Sequence, residues 1–381
     1  MNHTVRSSIA RRRAVLGAHV LTHVVFACAL CSLAYGQDAS TRTRNVVLIV
    51  PDGVRWQEVF TGAERALIGP AGNVNDTTTL LREFWRESPA ERRLALMPFL
   101  WGTIAREGLI VGDPATGARA EVTNGLKFSY PGYNEMLAGA PDPRIRSNSY
   151  GPNPNRTVFA WLASREGYQD RVAAFATWGV FTDIFDARRS GVTVRAGWRA
   201  PFPEPRGDRQ ALINELHRTT TRLWPDNTFD VLTHQAVLEY VRTAKPRVLF
   251  IGYGETDEWA HAGRYDLTLR ATRQVDAFVA ELWGTMQAMP EYRDATTFLI
   301  TTDHGRGDGA DGWKRHGENV AGAEAIWLAM LGPDTPAIQG GLGVGRVTQS
   351  QVAATLAALL GENWPGANPG AASAIRGAIR E

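Results

Sequence analysis

Residues 45–53 read Asn-Val-Val-Leu-Ile-Val-Pro-Asp-Gly. The five apolar residues from Val46 to Val50 run without polar alternation, which suits a strand covered on both faces, as in a parallel sheet. The run stops at Pro51 and delivers Asp52 just past its end. Two later stretches repeat that ending. Residues 247–254 carry Val248-Leu249-Phe250-Ile251 and lead into Asp257, with His261 four residues on. Residues 297–302 lead into Asp303-His304-Gly305, followed by His316-Gly317. In an open α/β sheet, groups beyond the carboxyl ends of neighbouring strands converge on one crevice. Six side chains able to hold a metal therefore meet there: Asp52, Asp257, His261, Asp303, His304 and His316.

Working outward, strands and helices alternate. The spacing predicts helices over 98–106, 156–166, 229–242, 266–288 and 350–360, and strands over 171–177 and 325–331. Such alternation implies an α/β fold, a three-layer α/β/α sandwich on a mostly parallel central sheet. Residues 61–127 and 186–228 fit the alternation poorly and read as surface insertions, the place for substrate contacts. The Gly- and Ala-rich stretch after Asn363 reads as a loosely packed terminus.

The chain has 381 residues, of which 44% are hydrophobic and 21% charged, with a formal net charge of +2. That excludes a disordered chain and a small disulfide scaffold. The balanced charge argues against a nucleic-acid-binding surface. Residues 1–36 look like a signal peptide: Arg6, Arg11, Arg12 and Arg13, then the apolar run from Ala14 to Tyr35 and a small-residue site ending at Gly36. A twin-arginine route stays open, as does an uncleaved anchor. Cleavage near Gly36 implies a periplasmic or secreted protein with no membrane association, and leaves 37–381 as a single domain. Removing those four arginines turns the charge from +2 to −2, and Cys28 and Cys31 leave as well. No thiolate then remains to bind metal or attack a substrate.

Each candidate has a plainer reading. An Asp after a strand is usually a turn former or helix cap, and a lone His is usually structural. The set weakens those readings, because three of the five histidines beyond residue 36 belong to it. His217 and His234 fall in expected helices away from acidic strand ends and read as structural. Oxygen and nitrogen ligands without sulfur suit zinc, with manganese as the alternative. Ser129, ahead of Tyr-Pro-Gly and an apolar run, reads locally as a helix N-cap.

Taken together, Val-Pro-Asp-Gly at 50–53, Phe-Ser-Tyr-Pro-Gly-Tyr-Asn-Glu-Met-Leu-Ala-Gly at 128–139, Gly-Glu-Thr-Asp-Glu-Trp-Ala-His-Ala-Gly at 254–263, Thr-Asp-His-Gly at 302–305 and His-Gly at 316–317 resemble the alkaline phosphatase superfamily, in particular its nucleotide pyrophosphatase/phosphodiesterase-like (type I phosphodiesterase) branch. The resemblance implies two divalent metal ions. Asp257, His261 and His316 would hold one, and Asp52, Asp303 and His304 the other, with Ser129 completing the second site as the nucleophile. It further implies a phosphoric ester hydrolase acting on small-molecule monoesters or diesters through a covalent seryl intermediate. Asn148 and Lys127 are the substrate-binding candidates, and Trp259 and Trp313 could wall a pocket for an aromatic leaving group. Tyr133 stands where formylglycine sulfatases carry Arg, and Gly132 where phosphodiesterase relatives carry Asn. The same fold also admits sulfuric ester hydrolysis, mutase-like phosphoryl transfer, or an inactive anion-binding relative.

Overall fold

A computed structural model describes residues 41–380 except 342; the expected signal peptide lies outside the described residues. The strands are β1 (Asn45–Pro51), β2 (Leu109–Val111), β3 (Ala120–Glu121), β4 (Val172–Ala176), β5 (Thr193–Ala196), β6 (Val248–Tyr253), β7 (Thr296–Thr301), β8 (Ala325–Ile326), β9 (Leu328–Leu331) and β10 (Val347–Thr348). Helices of seven or more residues are α1 (Thr77–Phe84), α2 (Pro89–Leu96), α3 (Ser129–Ala138), α4 (Asp208–Thr219), α5 (Asp230–Ala244), α6 (Glu255–His261), α7 (Tyr265–Ala288) and α8 (Gln351–Leu359).

Seven strands form one sheet in the order β2-β9-β7-β1-β6-β4-β5, and β3, β8 and β10 form a small second sheet. Only β9 runs against its neighbours in the large sheet. The expected three-layer sandwich follows from the two-residue period of the strands. Val46, Leu48 and Val50 face a core completed by α3 and α8, while Val47 and Ile49 face one completed by α1, α2, α4, α5 and α7. Leu48 and Ile49 are fully buried. Truncating either to Ala would cost about 2–5 kcal/mol.

Register positions the chemistry. Val46 pairs with Val248 on one side and Thr297 on the other, all in parallel. Strands β1, β6 and β7 therefore end level, and the residues after them emerge together at one edge of the sheet. Strand β1 lies between β6 and β7, so the crevice opens where later strands flank the first on both sides.

Several expectations need correction. The segment 325–331 is two strands: β8 joins the small sheet and β9 the large one, with the buried Trp327 between them donating its indole N–H to Val54 O at 3.0 Å. A continuous apolar run cannot say which sheet each half will join. Both supposed insertions contribute an edge strand, β2 and β5, to the central sheet. Strands of three or four residues are too short to show a period. The helix expected over 156–166 is confined to Val158–Ala163. That over 98–106 opens as a π-turn, Leu100–Ile104, whose approach is fixed by the Asp276 carboxylate accepting from the Phe99 and Leu100 amides at 2.7 and 2.9 Å. The C-terminal stretch is packed rather than loose: Trp364, Ile375 and Ala378 are buried.

Candidate metal centre

Local backbone chemistry aims each ligand candidate. Asp52 leaves β1 with its amide on Tyr253 O at 2.8 Å, and its own carbonyl accepts from Thr256 Oγ1 at 2.6 Å. Gly53 then turns with φ +61°, which lets its amide reach Asp303 Oδ1 at 3.0 Å. Asp257 sits in the first turn of α6 and His261 in its last, so the four-residue spacing places both on one face. Their closest approach is 3.4 Å, from His261 Nε2 to Asp257 Oδ2.

The six residues do converge. His304 Nε2 lies 3.4 Å from Asp52 Oδ1 and 3.5 Å from Asp303 Oδ2. His261 and His316 meet Nε2 to Nε2 at 2.9 Å, and His316 Nε2 is 3.7 Å from Asp257 Oδ1. The two clusters touch, because the His304 and His316 rings stack at 3.8 Å. His304 can therefore share a position with either set.

Ser129 joins the inner cluster, with Oγ 3.4 Å from His304 Nε2. It is not a cap. Phe128 occupies the N-cap position and Ser129 is the first helical residue, so its hydroxyl is free of the helix end. All ten residues of α3 are buried. Gly132 is required by close approach, since a Cβ there would stand 2.4 Å from Asp303 O. This explains why no Asn can occupy that position here. One turn on, Tyr133 donates its hydroxyl to Asp52 Oδ2 at 3.1 Å.

Do these donors fit divalent ions? Asp52 Oδ1 and Asp303 Oδ2 are buried without a hydrogen-bond partner. Buried carboxylate oxygens left so are costly, and both point toward His304 Nε2, as ligands sharing one cation would. Acids and imidazoles without sulfur match zinc or manganese. Burial and neighbouring charge set the protonation of the cluster. Burial and the neighbouring Asp52 charge push Asp303 up to about 7. Burial pulls His304 down, but Asp303 and Asp52 outweigh it and raise the imidazole to about 9. His316 is lowered by burial and then by the positive charges of His304, Arg306 and His261. Partial desolvation lowers His261, with help from His304.

The chain matches the Metalloenzyme superfamily over residues 191–316, a stretch holding five of the six ligand candidates. Among solved structures it superposes on a Bacteroides thetaiotaomicron protein classed with the sulfatases (TM-score 0.56, 14% identity, 87% of this chain and 73% of that one). It also superposes on a phosphonate monoester hydrolase from Silicibacter pomeroyi (TM-score 0.50, 15% identity, 88% and 76%). The fold is that of the alkaline phosphatase superfamily. Two curated relatives are 2,3-bisphosphoglycerate-independent phosphoglycerate mutases. One, from Serratia proteamaculans, is 24% identical over 58% of this chain and 37% of its own length. The other, from Gracilaria tenuistipitata var. liui, is 29% identical over 29% and 20%. The chain thus spans less than two-fifths of the curated relatives it matches.

On this alkaline phosphatase-like scaffold the other candidates separate. Asn148 stands beside α3 and accepts the Tyr130 amide at 3.0 Å. Lys127 is turned away, its ammonium on Val320 O at 3.0 Å and beside Glu324; only its backbone carbonyl faces the centre, accepting from His316 Nδ1 at 3.3 Å. Trp313 is buried against Tyr265 and belongs to the core, whereas Trp259 is half-buried edge-on to Trp224 at 4.9 Å. His234 is structural, stacked on Phe278 and bonded to Tyr253 and Glu281, and His217 is buried in α4. Sequence reading missed Glu135. Its buried carboxylate accepts from the Thr123 and Asn124 amides and from Ser350 Oγ, tying the loop before Ser129 to α8. It also missed Arg306, a fully buried guanidinium behind Asp257. A single Arg after Asp-His-Gly carries no periodic or spacing signal.

Proposed function

We propose that the protein is a dinuclear metal-dependent hydrolase of small-molecule phosphoric esters, with Ser129 as nucleophile, in the nucleotide pyrophosphatase/phosphodiesterase-like branch of its superfamily. The observation carrying this reading is the Ser129 hydroxyl, released from capping and held 3.4 Å from His304 Nε2 among carboxylates with unpartnered oxygens. Asp52, Asp303 and His304 would hold one ion and Asp257, His261 and His316 the other, zinc in the first instance and manganese as the alternative. Bound there, the ions would lower the pKa of the serine hydroxyl and neutralise charge on the departing oxygen.

The chain's own part is positioning. Helix α3 fixes the Ser129 oxygen, and the positive end of its dipole favours the phosphoryl group brought to it. Ser129 Oγ bonds to phosphorus as the ester P–O bond breaks and the alcohol leaves. Water then cleaves the Oγ–P bond and returns the hydroxyl. Asn148, beside Ser129, is the candidate for a phosphoryl oxygen or substrate hydroxyl. The absence of Arg at position 133 speaks against formylglycine-based sulfate chemistry. The mutase relatives keep phosphoryl transfer as the second reading.

The test is turnover of nitrophenyl phosphate, bis(nitrophenyl) phosphate, nitrophenyl phosphonate and nitrophenyl sulfate with Zn²⁺ or Mn²⁺ restored. Phosphate ester hydrolysis should dominate. Ser129→Ala should keep its metal and lose about a thousandfold in turnover, roughly 4 kcal/mol of transition-state stabilisation. An active Ser129→Ala protein with both metals would leave a water as attacker, and preference for sulfate would overturn the substrate class. Export with cleavage near Gly36 belongs to the same proposal. N-terminal sequencing of secreted material should begin at or near Gln37, and an intact Met1 would refute it.

A further inference from the structure

Four separate chain segments bring the ligand candidates together, and one side chain touches all of them. Arg306 follows Asp303-His304-Gly305 directly. Its Nε donates to Gly53 O at 3.2 Å, next to Asp52, and one Nη donates to Lys314 O at 2.9 Å, two residues before His316. Its other Nη binds Asp257 Oδ1 and lies 3.4 Å from Asp257 O. The guanidinium is buried, and a Cβ added at Gly53 would stand 2.9 Å from its Nε and 3.1 Å from Asp257 Oδ1. A planar fork with five donors can span three such acceptors; an ammonium cannot.

The two clusters are unequal in their carboxylates. Asp257 is the one carboxylate in its cluster, and it shares its charge with Arg306. Asp52 and Asp303 face the inner position with oxygens that no protein group satisfies. Resting on the dinuclear reading above, we infer that Arg306 is a positioning residue that holds Asp257, the ligand side chain it binds directly, in place for the Asp257–His261–His316 position, which with one carboxylate against two is the later-filled.

Titration of the metal-free protein with Zn²⁺ against a chromophoric chelator tests this without turnover. Wild-type protein should take two equivalents in two separable steps. Asp303→Asn should abolish the tighter step and His261→Ala the weaker. Arg306→Met should weaken only the second step, by about 10- to 100-fold, as loss of a ligand's supporting partner does. Arg306→Lys keeps the buried charge and serves where the Met variant does not fold. It should show the same selective loss, because the charge alone cannot span the acceptors. Two equal steps in wild-type protein would overturn the inequality. Unchanged steps in the folded Arg306 variants, or equal weakening of both steps, would overturn the positioning role. Fewer than two equivalents in wild-type protein would instead defeat the dinuclear reading itself.

Discussion

The inner and outer halves of the metal centre use the same residue types in opposite surroundings. Asp303 and His304 are wholly inaccessible, whereas the His261 side chain is 47% exposed. Inside, two carboxylates crowd one imidazole, so Asp303 and His304 both hold protons above their ordinary range. Outside, two imidazoles crowd one carboxylate that already has a guanidinium, and both histidines are pushed toward the neutral form. Burial alone would drive every one of these groups to neutrality. What separates the halves is the balance of charge: two carboxylates against one imidazole inside, and one carboxylate offset by Arg306 outside. On the proposed dinuclear reading, the inner half should draw a cation more strongly than the outer.

The strongest way to break that contrast is Asp303→Asn. It removes one of the two buried carboxylates of the inner site, and turnover should fall about a thousandfold or more, roughly 4 kcal/mol. His261→Ala, at the solvent edge, should cost less, about 10- to 100-fold, and excess Zn²⁺ should recover part of it. Activity measured against free zinc concentration checks both, and equal losses would show the halves to be equivalent.

A sharper contrast lies in pH. Metal ligands must be deprotonated, so binding at the inner position has to displace protons from Asp303, near 7, and His304, near 9. Its affinity should rise between about pH 6 and pH 9, with proton release on binding. The outer histidines are lowered and already neutral there, so the outer step should stay nearly flat. Calorimetry in buffers of different ionisation enthalpy would count the protons, and an outer step releasing more than the inner would reverse the assignment.

The smallest effect is expected far from either half. Ser88 caps α2, accepting the Glu91 amide at 3.2 Å. Ser88→Ala should lower stability by about 1 kcal/mol in thermal unfolding and leave both zinc steps unchanged.

The part of this centre legible in the sequence was the part carried by long buried strands. Runs such as Val46–Val50 declare a doubly covered strand by composition, and whatever follows them must reach the same sheet edge. Asp52, Asp257, Asp303 and His304 were visible for that reason. His261 and His316 depended on the four-residue spacing in α6 and on the family resemblance. The edge strands β2 and β5 were hidden because so few residues leave no period to read. The direction of Lys127 was hidden as well, since a flexible ammonium goes wherever carbonyls and carboxylates are nearest. Arg306 was unreadable for a different reason: a buried cation is recognised by its acceptors, and those come from Gly53, Asp257 and Lys314, up to 253 residues away.

The Glu135 tether has a consequence for the order in which a growing chain becomes competent. Its carboxylate holds the loop before Ser129 but is itself met by Ser350, 215 residues later, while Gln349 donates to the carbonyls of Thr302 and Asp303. Both the loop before Ser129 and the end of β7 therefore wait for a segment made after either of them. Contacts of such long sequence separation form late, after the costly loop closures. A nascent chain made as far as His316 holds all six ligand candidates yet lacks the brace that aligns them. The candidate site should thus be aligned only once residues 349 and 350 have been made, and a chain stopped short of them should hold it poorly.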